Sequence, residues 1–148
     1  MIKDPGMKSD LARMTGIEDR ITGEIVRDYE LIFSLKRGLG SKDVYRRDRA
    51  VLGLSYLLLF YPSPLVRHEA AFVLGEYGKG PAHFLRASAL LDSDATVRHE
   101  ATLALSAPSQ RSYAGRSRSL ISYIAKKDRS KMVRDTARVA LARLEFYD

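Results

Sequence analysis

Nine residues, Val66-Arg67-His68-Glu69-Ala70-Ala71-Phe72-Val73-Leu74, return almost unchanged 31 positions later as Val97-Arg98-His99-Glu100-Ala101-Thr102-Leu103-Ala104-Leu105. A repeat of that length is a helix-pair unit that cannot hide its own apolar face. Copies must therefore stack and share one core. A third copy, Val133-Arg134-Asp135-Thr136-Ala137-Arg138-Val139-Ala140-Leu141, follows after 36 positions, which predicts a longer connection before it.

The rest of the chain reads as the helices that such units need. Residues 1–15 are polar, carry Pro5 and Gly6, and form a loose start. Ile17, Ile21, Ile25, Leu31, Ile32 and Leu35 recur at helical spacing up to Arg37, with Gly38 and Gly40 as the expected stop. A helix over 42–61 ends at Pro62. Ser63-Pro64 predicts an N-cap followed by proline at the first helical position, and Gly78 ends that helix. Pro81 opens the next helix, through Leu91. Asp92-Ser93-Asp94 is a capped turn before a helix to Leu105, and Pro108-Ser109 breaks it. Helices over 113–127 and 131–146 complete the chain, with Ser130 between them. The expected units are helix pairs over about 42–77, 81–105 and 113–146, in one domain spanning 16–148. No segment alternates with a period of two, so no strand is expected.

Val66, Ala70, Val73, Leu74 and Tyr77 form one apolar stripe, and small Ala70, Ala101 and Ala137 let paired helices approach closely. The recurring Asp/Pro–x–x–Val-Arg–x–x–Ala–x–x–x–Leu-Gly pattern over residues 42–146 resembles the HEAT-like repeats of the phycobilisome-lyase type. That resemblance implies an all-α, armadillo-like fold: a short right-handed α-solenoid (a superhelix) of about three helix pairs plus an N-terminal helix.

The 148 residues carry a net charge of +7 and no cysteine. Apolar runs such as Leu57-Leu58-Leu59-Phe60-Tyr61 are far shorter than a membrane span of roughly 18 residues. Charged Lys3, Asp4, Lys8 and Asp10 stand where a leader would be apolar. A cytoplasmic protein with no membrane partner is the expectation. The charge is concentrated. Residues 111–143 hold ten Lys or Arg against Asp128 and Asp135, a net of +8.

Two of the three histidines occupy the same repeat position. On a helical wheel of about 100° per residue, His68 and His99 point away from the apolar stripe, with Glu69 and Glu100 on its flank. Neighbouring helices stand roughly 10 Å apart, so the two imidazoles could share one ion. Asp135 takes the histidine position in the third copy. The stacked set His68, His99 and Asp135, with Glu69 and Glu100 beside it, contains the elements of a two-histidine, one-carboxylate site that suits Fe(II) or another transition metal. Solvated surface pairs kept alike by duplication are the plainer reading. His83 reads as a surface residue.

The phrases Arg67-His68-Glu69-Ala70-Ala71-Phe72-Val73-Leu74-Gly75 and Val97-Arg98-His99-Glu100-Ala101 are also similar to the His-Glu motifs of deoxyhypusine hydroxylase, a HEAT-like iron monooxygenase family with four such motifs. The resemblance implies His68, His99 and Glu100 as iron ligands and Glu69 as the residue facing a substrate amine. Two motifs match half of that pattern, so a complete site would require a homodimer.

Three functions follow as expectations. The leading one is a binding module that recognises a protein partner through its concave face. The second is an iron-dependent monooxygenase acting as a dimer. The third is nucleic-acid binding through Arg116, Arg118, Lys131, Arg134 and Arg138. The repeated Arg67, Arg98 and Arg134 are expected to form a structural ladder to acidic groups or carbonyls of the preceding turn, such as Asp94.

Overall fold

A computed structural model describes residues 25–79 and 82–146. The loose start, Ile17, Ile21 and Pro81 lie outside the described residues. Among the described residues the chain is all-α: seven α-helices, one 3-10 segment and no strand. The helices are α1 (Ile25–Leu39), α2 (Val44–Phe60), α3 (Pro64–Tyr77), α4 (Ala82–Leu91), α5 (Ala95–Leu105), α6 (Ala114–Lys127) and α7 (Lys131–Phe146). The 3-10 segment Pro108–Tyr113 joins α5 to α6.

The helix ends follow local chemistry. The Asp43 carboxylate accepts from the Tyr45 N–H at 2.9 Å and starts α2. Asp94 accepts from the Thr96 and Val97 N–H groups at 2.8 and 3.3 Å and starts α5. Ser63 occupies the N-cap of α3 as expected, with Pro64 behind it, but its hydroxyl makes no capping bond. Gly78 ends α3 in the left-handed conformation, φ 68°. One expectation needs correcting: Gly38 does not stop α1. It lies inside the helix, where a Cβ would sit 2.9 Å from the Ala50 Cβ. Gly38 is there to bring α1 close to α2.

Helices α2 and α3, α4 and α5, and α6 and α7 pack as consecutive pairs, and α1 rests on α2 and α3. The second helices also meet directly, α3 against α5 and α5 against α7. The first helices meet more sparsely, α2 against α4 and α4 against α6. One continuous core results, as the repeat requires. Val66, Val97 and Val133 are buried at one repeat position, and Ala70, Ala101 and Ala137 at another. Leu54, Leu57, Leu58 and Leu59 are all buried, since α2 is enclosed by α1, α3 and α4.

The longer connection before the third copy has a structural use. Ser109 Oγ donates to the Gly75 carbonyl at 2.5 Å, and Gln110 Nε2 donates to the Leu74 carbonyl at 3.3 Å. These carbonyls lie in the last turn of α3, where Leu74 also accepts the Gly78 N–H at 3.3 Å. The 3-10 segment thus packs against the end of a helix three elements earlier in the chain.

Candidate functional site

The repeated arginines build the first feature. Arg67 and Asp92 are almost fully buried, 2% and 0% exposed. Arg67 Nε and Nη2 bond the two Asp92 oxygens at 2.9 and 3.0 Å, and Nη1 donates to the Tyr61 and Pro62 carbonyls at 2.9 Å each. Arg98 repeats the arrangement one unit later. Its Nε and Nη2 bond Asp128 at 2.9 and 3.1 Å, and Nη1 reaches the Asp92 and Ser93 carbonyls at 2.9 and 3.3 Å. Each guanidinium therefore ties the turn before its own helix to the aspartate of the next pair. The ladder exists, but Asp94 is not its acceptor. Asp94 is committed to capping α5, where the Thr96 hydroxyl and the Thr96 and Val97 N–H groups hold its carboxyl below the usual range. Asp92 and Asp128 were readable in the sequence. Each stands six residues before a repeated arginine, where the first copy has Tyr61.

Burial pushes the Asp128 carboxyl up. The Arg98 fork, the Ser130 N–H and the charges of Arg98 and Arg129 outweigh it, so Asp128 titrates below an ordinary aspartate.

The histidines form a second ladder in the seam between second helices. His68 Nε2 lies 3.3 Å from Glu100 Oε2. His99 Nδ1 lies 2.6 Å from Thr136 Oγ1, which itself donates to the Met132 carbonyl at 2.8 Å. The Thr136 proton is used, so His99 carries its proton on Nδ1. Both contacts link a histidine to the position that follows the histidine position of the next unit. The wheel placed these rings on an open face. They are instead partly buried, because the adjacent second helix covers that flank.

His68 and Glu100 come together, whereas His99 turns to Thr136 and Asp135 is held by Lys131 and Arg138 at 2.6 and 2.5 Å. Among the described residues no group of three His, Cys, Asp or Glu could hold a metal ion. Glu69 is half-buried at the Glu100-equivalent position of α3, outside the His68–Glu100 pair. His83 is at the surface as expected. Partial burial and then the Arg86 charge lower its pKa, and its ring lies 4.1 Å from that of Phe84.

The five cations do not form one patch. Arg116 and Arg118 lie near the start of α6, Lys131 and Arg134 in the first turn of α7, and Arg138 at the middle of α7. The turn at 128–130 folds α7 back along α6, so Lys131 lies at the other end of the pair from Arg116 and Arg118, roughly 15 Å away by helix rise, with Arg134 and Arg138 spread between. Lys131 and Arg138 bond Asp135, whose carboxyl is lowered by the Lys131 hydrogen bond. Arg134 Nη1 donates to the Asp128 carbonyl at 2.6 Å.

A third feature escaped the sequence reading. Phe72, Leu103 and Val139 share one repeat position on α3, α5 and α7. Phe72 is 40% and Val139 55% exposed, and Leu103 is half-buried between them. Leu65 and Met132, two turns earlier on α3 and α7, are also exposed. The clue was apolar residues recurring outside the core stripe at the repeat interval. On the first-helix side, a concavity of about 660 Å³ opens between Leu90, Leu91 and Tyr123, floored by the Arg98–Asp128 pair. No helix among the described residues is long and apolar enough to cross a membrane.

No known protein family, curated protein or solved structure matches the chain.

Proposed function

We propose that the chain is a short right-handed α-solenoid of HEAT-like helix pairs that binds a protein partner across its second-helix layer. The observation that carries this reading is the row of Phe72, Leu103 and Val139. Single exposed apolar residues are ordinary. A row of them at one repeat position adds nothing to the core and supports a contact surface. With helices about 10 Å apart, the row extends roughly 20 Å, enough for one amphipathic segment. Glu69 flanks it on α3 and Arg143 on α7. A ligand with a basic end over α3 and an acidic end over α7 suits that gradient.

A protein ligand is favoured over a nucleic acid because a phosphate backbone calls for clustered cations. Here they are spread along α6 and α7, and two of them are spent on Asp135. Iron-dependent monooxygenase activity would need ligands beyond the His68–Glu100 pair from a second copy.

The test is peptide-display selection on the full chain, followed by affinity measurement on Phe72→Asp and Val139→Asp variants. Both side chains are exposed, so circular dichroism should show the helices intact. Apolar-anchored ligands that lose at least about tenfold in affinity on either variant are expected. No enriched ligand, or ligands that bind the variants as well as the parent, would overturn the reading.

A further inference from the structure

We propose that Arg134 forms a carboxylate-binding site at the α7 end of the helix array, which receives an aspartate presented by a partner protein in the turn that follows a helix. The internal repeat supplies the argument. Arg67 and Arg98 each do two things: Nη1 holds carbonyls of the turn before their own helix, and the Nε–Nη2 edge forks onto an aspartate of the next unit. Arg134 does the first through the Asp128 carbonyl. For its Nε–Nη2 edge the described residues supply no acceptor.

That bond to Asp128 anchors the guanidinium in the same way as its two counterparts. By the repeat, its free edge faces the place where an aspartate would follow. The chemistry of the guest is set by the two filled copies. In both, two carboxylate oxygens meet Nε and Nη2 at 2.9 to 3.1 Å. A planar fork matches a planar carboxylate. The surrounding charge agrees. Lys131 and Arg138 are neutralised in part by Asp135, while the Arg134 charge meets only a backbone carbonyl.

A second copy of the chain fits poorly as the guest. The residue six positions before Arg67 is Tyr61, so the first unit offers no carboxylate in this register. A different protein with an aspartate in an inter-helix turn is the occupant. The site lies apart from Phe72 and Val139, so its failure and that of the apolar row can be told apart.

The probe is a peptide of the chain's own residues 88–101, which carries Asp92 and Asp94 in sequence. It is titrated into the ¹⁵N-labelled full chain, and the Arg134 Nε–H resonance is followed. A saturable shift of that resonance is expected, with about threefold to tenfold weaker binding for an Asp92→Asn peptide. Arg134→Lys, which keeps the charge but not the fork, should weaken binding equally. Equal binding of the Asp92→Asn peptide would overturn the proposal. So would shifts confined to Lys131 and Arg138, or full binding by Arg134→Lys. A short single-stranded oligonucleotide that shifts Arg134 where the peptide does not would also overturn it. Because the parent chain reports on peptide variants, the result does not depend on a chain variant folding.

Discussion

The α3–α5 and α5–α7 junctions are built from the same repeat positions, yet they are sealed differently. In the first, the Arg67–Asp92 pair is closed from solvent, the His68 ring meets a carboxylate, and Gly75 lets α5 approach so closely that a Cβ would lie 2.6 Å from the Ala104 Cβ. In the second, Asp128 retains some solvent contact, and His99 meets a neutral hydroxyl. A repeat fixes which positions face each other. It leaves open whether the facing groups are charged, neutral or absent, and that choice sets the strength and pH response of each junction.

The largest expected difference comes from removing the two aspartates. Asp92→Ala leaves the Arg67 guanidinium buried without a counter-charge and should cost about 3–5 kcal/mol. Asp128→Ala should cost less, about 2–3 kcal/mol, because water can reach the vacated Arg98 edge. Urea unfolding of both variants checks the order, and equal losses would remove the distinction between the junctions.

Packing offers the next contrast. Gly75→Ala forces α3 and α5 apart and should destabilise by about 1–3 kcal/mol. Gly115→Ala, whose Cβ would meet nothing within 4 Å, should be neutral or stabilising by up to about 1 kcal/mol. Thermal midpoints of the pair give the comparison. A harmless Gly75→Ala would show that the junction has slack.

Acid sharpens the electrostatic side. The folded-state pKa of Asp128 lies below its unfolded value. Its contribution is therefore present above the ordinary aspartate range and is lost as pH falls through the folded pKa. Stability measured downward from pH 5 should fall less steeply in Asp128→Asn than in the parent. An unchanged slope would remove Asp128 from the acid limb.

The smallest effect is expected at the neutral contact. Thr136→Val withdraws the acceptor of the His99 Nδ1 proton and should cost about 1 kcal/mol. Nitrogen chemical shifts of His99 should move away from the Nδ1–H tautomer. An unaltered tautomer would show that Thr136 does not set it.

Much of the fold was legible because its signals are local. Pro62, Pro64, Gly78 and Asp94 mark helix ends through their own backbone or side-chain chemistry, and the structure places those ends within a residue or two of expectation. Gly38 was misread because a helix-ending glycine and a close-packing glycine look alike until Ala50 is seen opposite. The candidate sites were less legible. The wheel treats a helix as having one buried side, whereas α5 is flanked by α3 and α7, so the side chains assigned to solvent became links between helices.

The sequence by itself determined the all-helical class, the pairing of helices and the positions that recur, because periodicity and capping act within a few residues along the chain. Only the tertiary structure decided which partner each recurring group meets: Asp92 rather than Asp94 for Arg67, Glu100 for His68, Thr136 for His99. Those partners lie 25 to 37 residues away. The lateral spacing of neighbouring helices, and not distance along the chain, brings them within bonding reach.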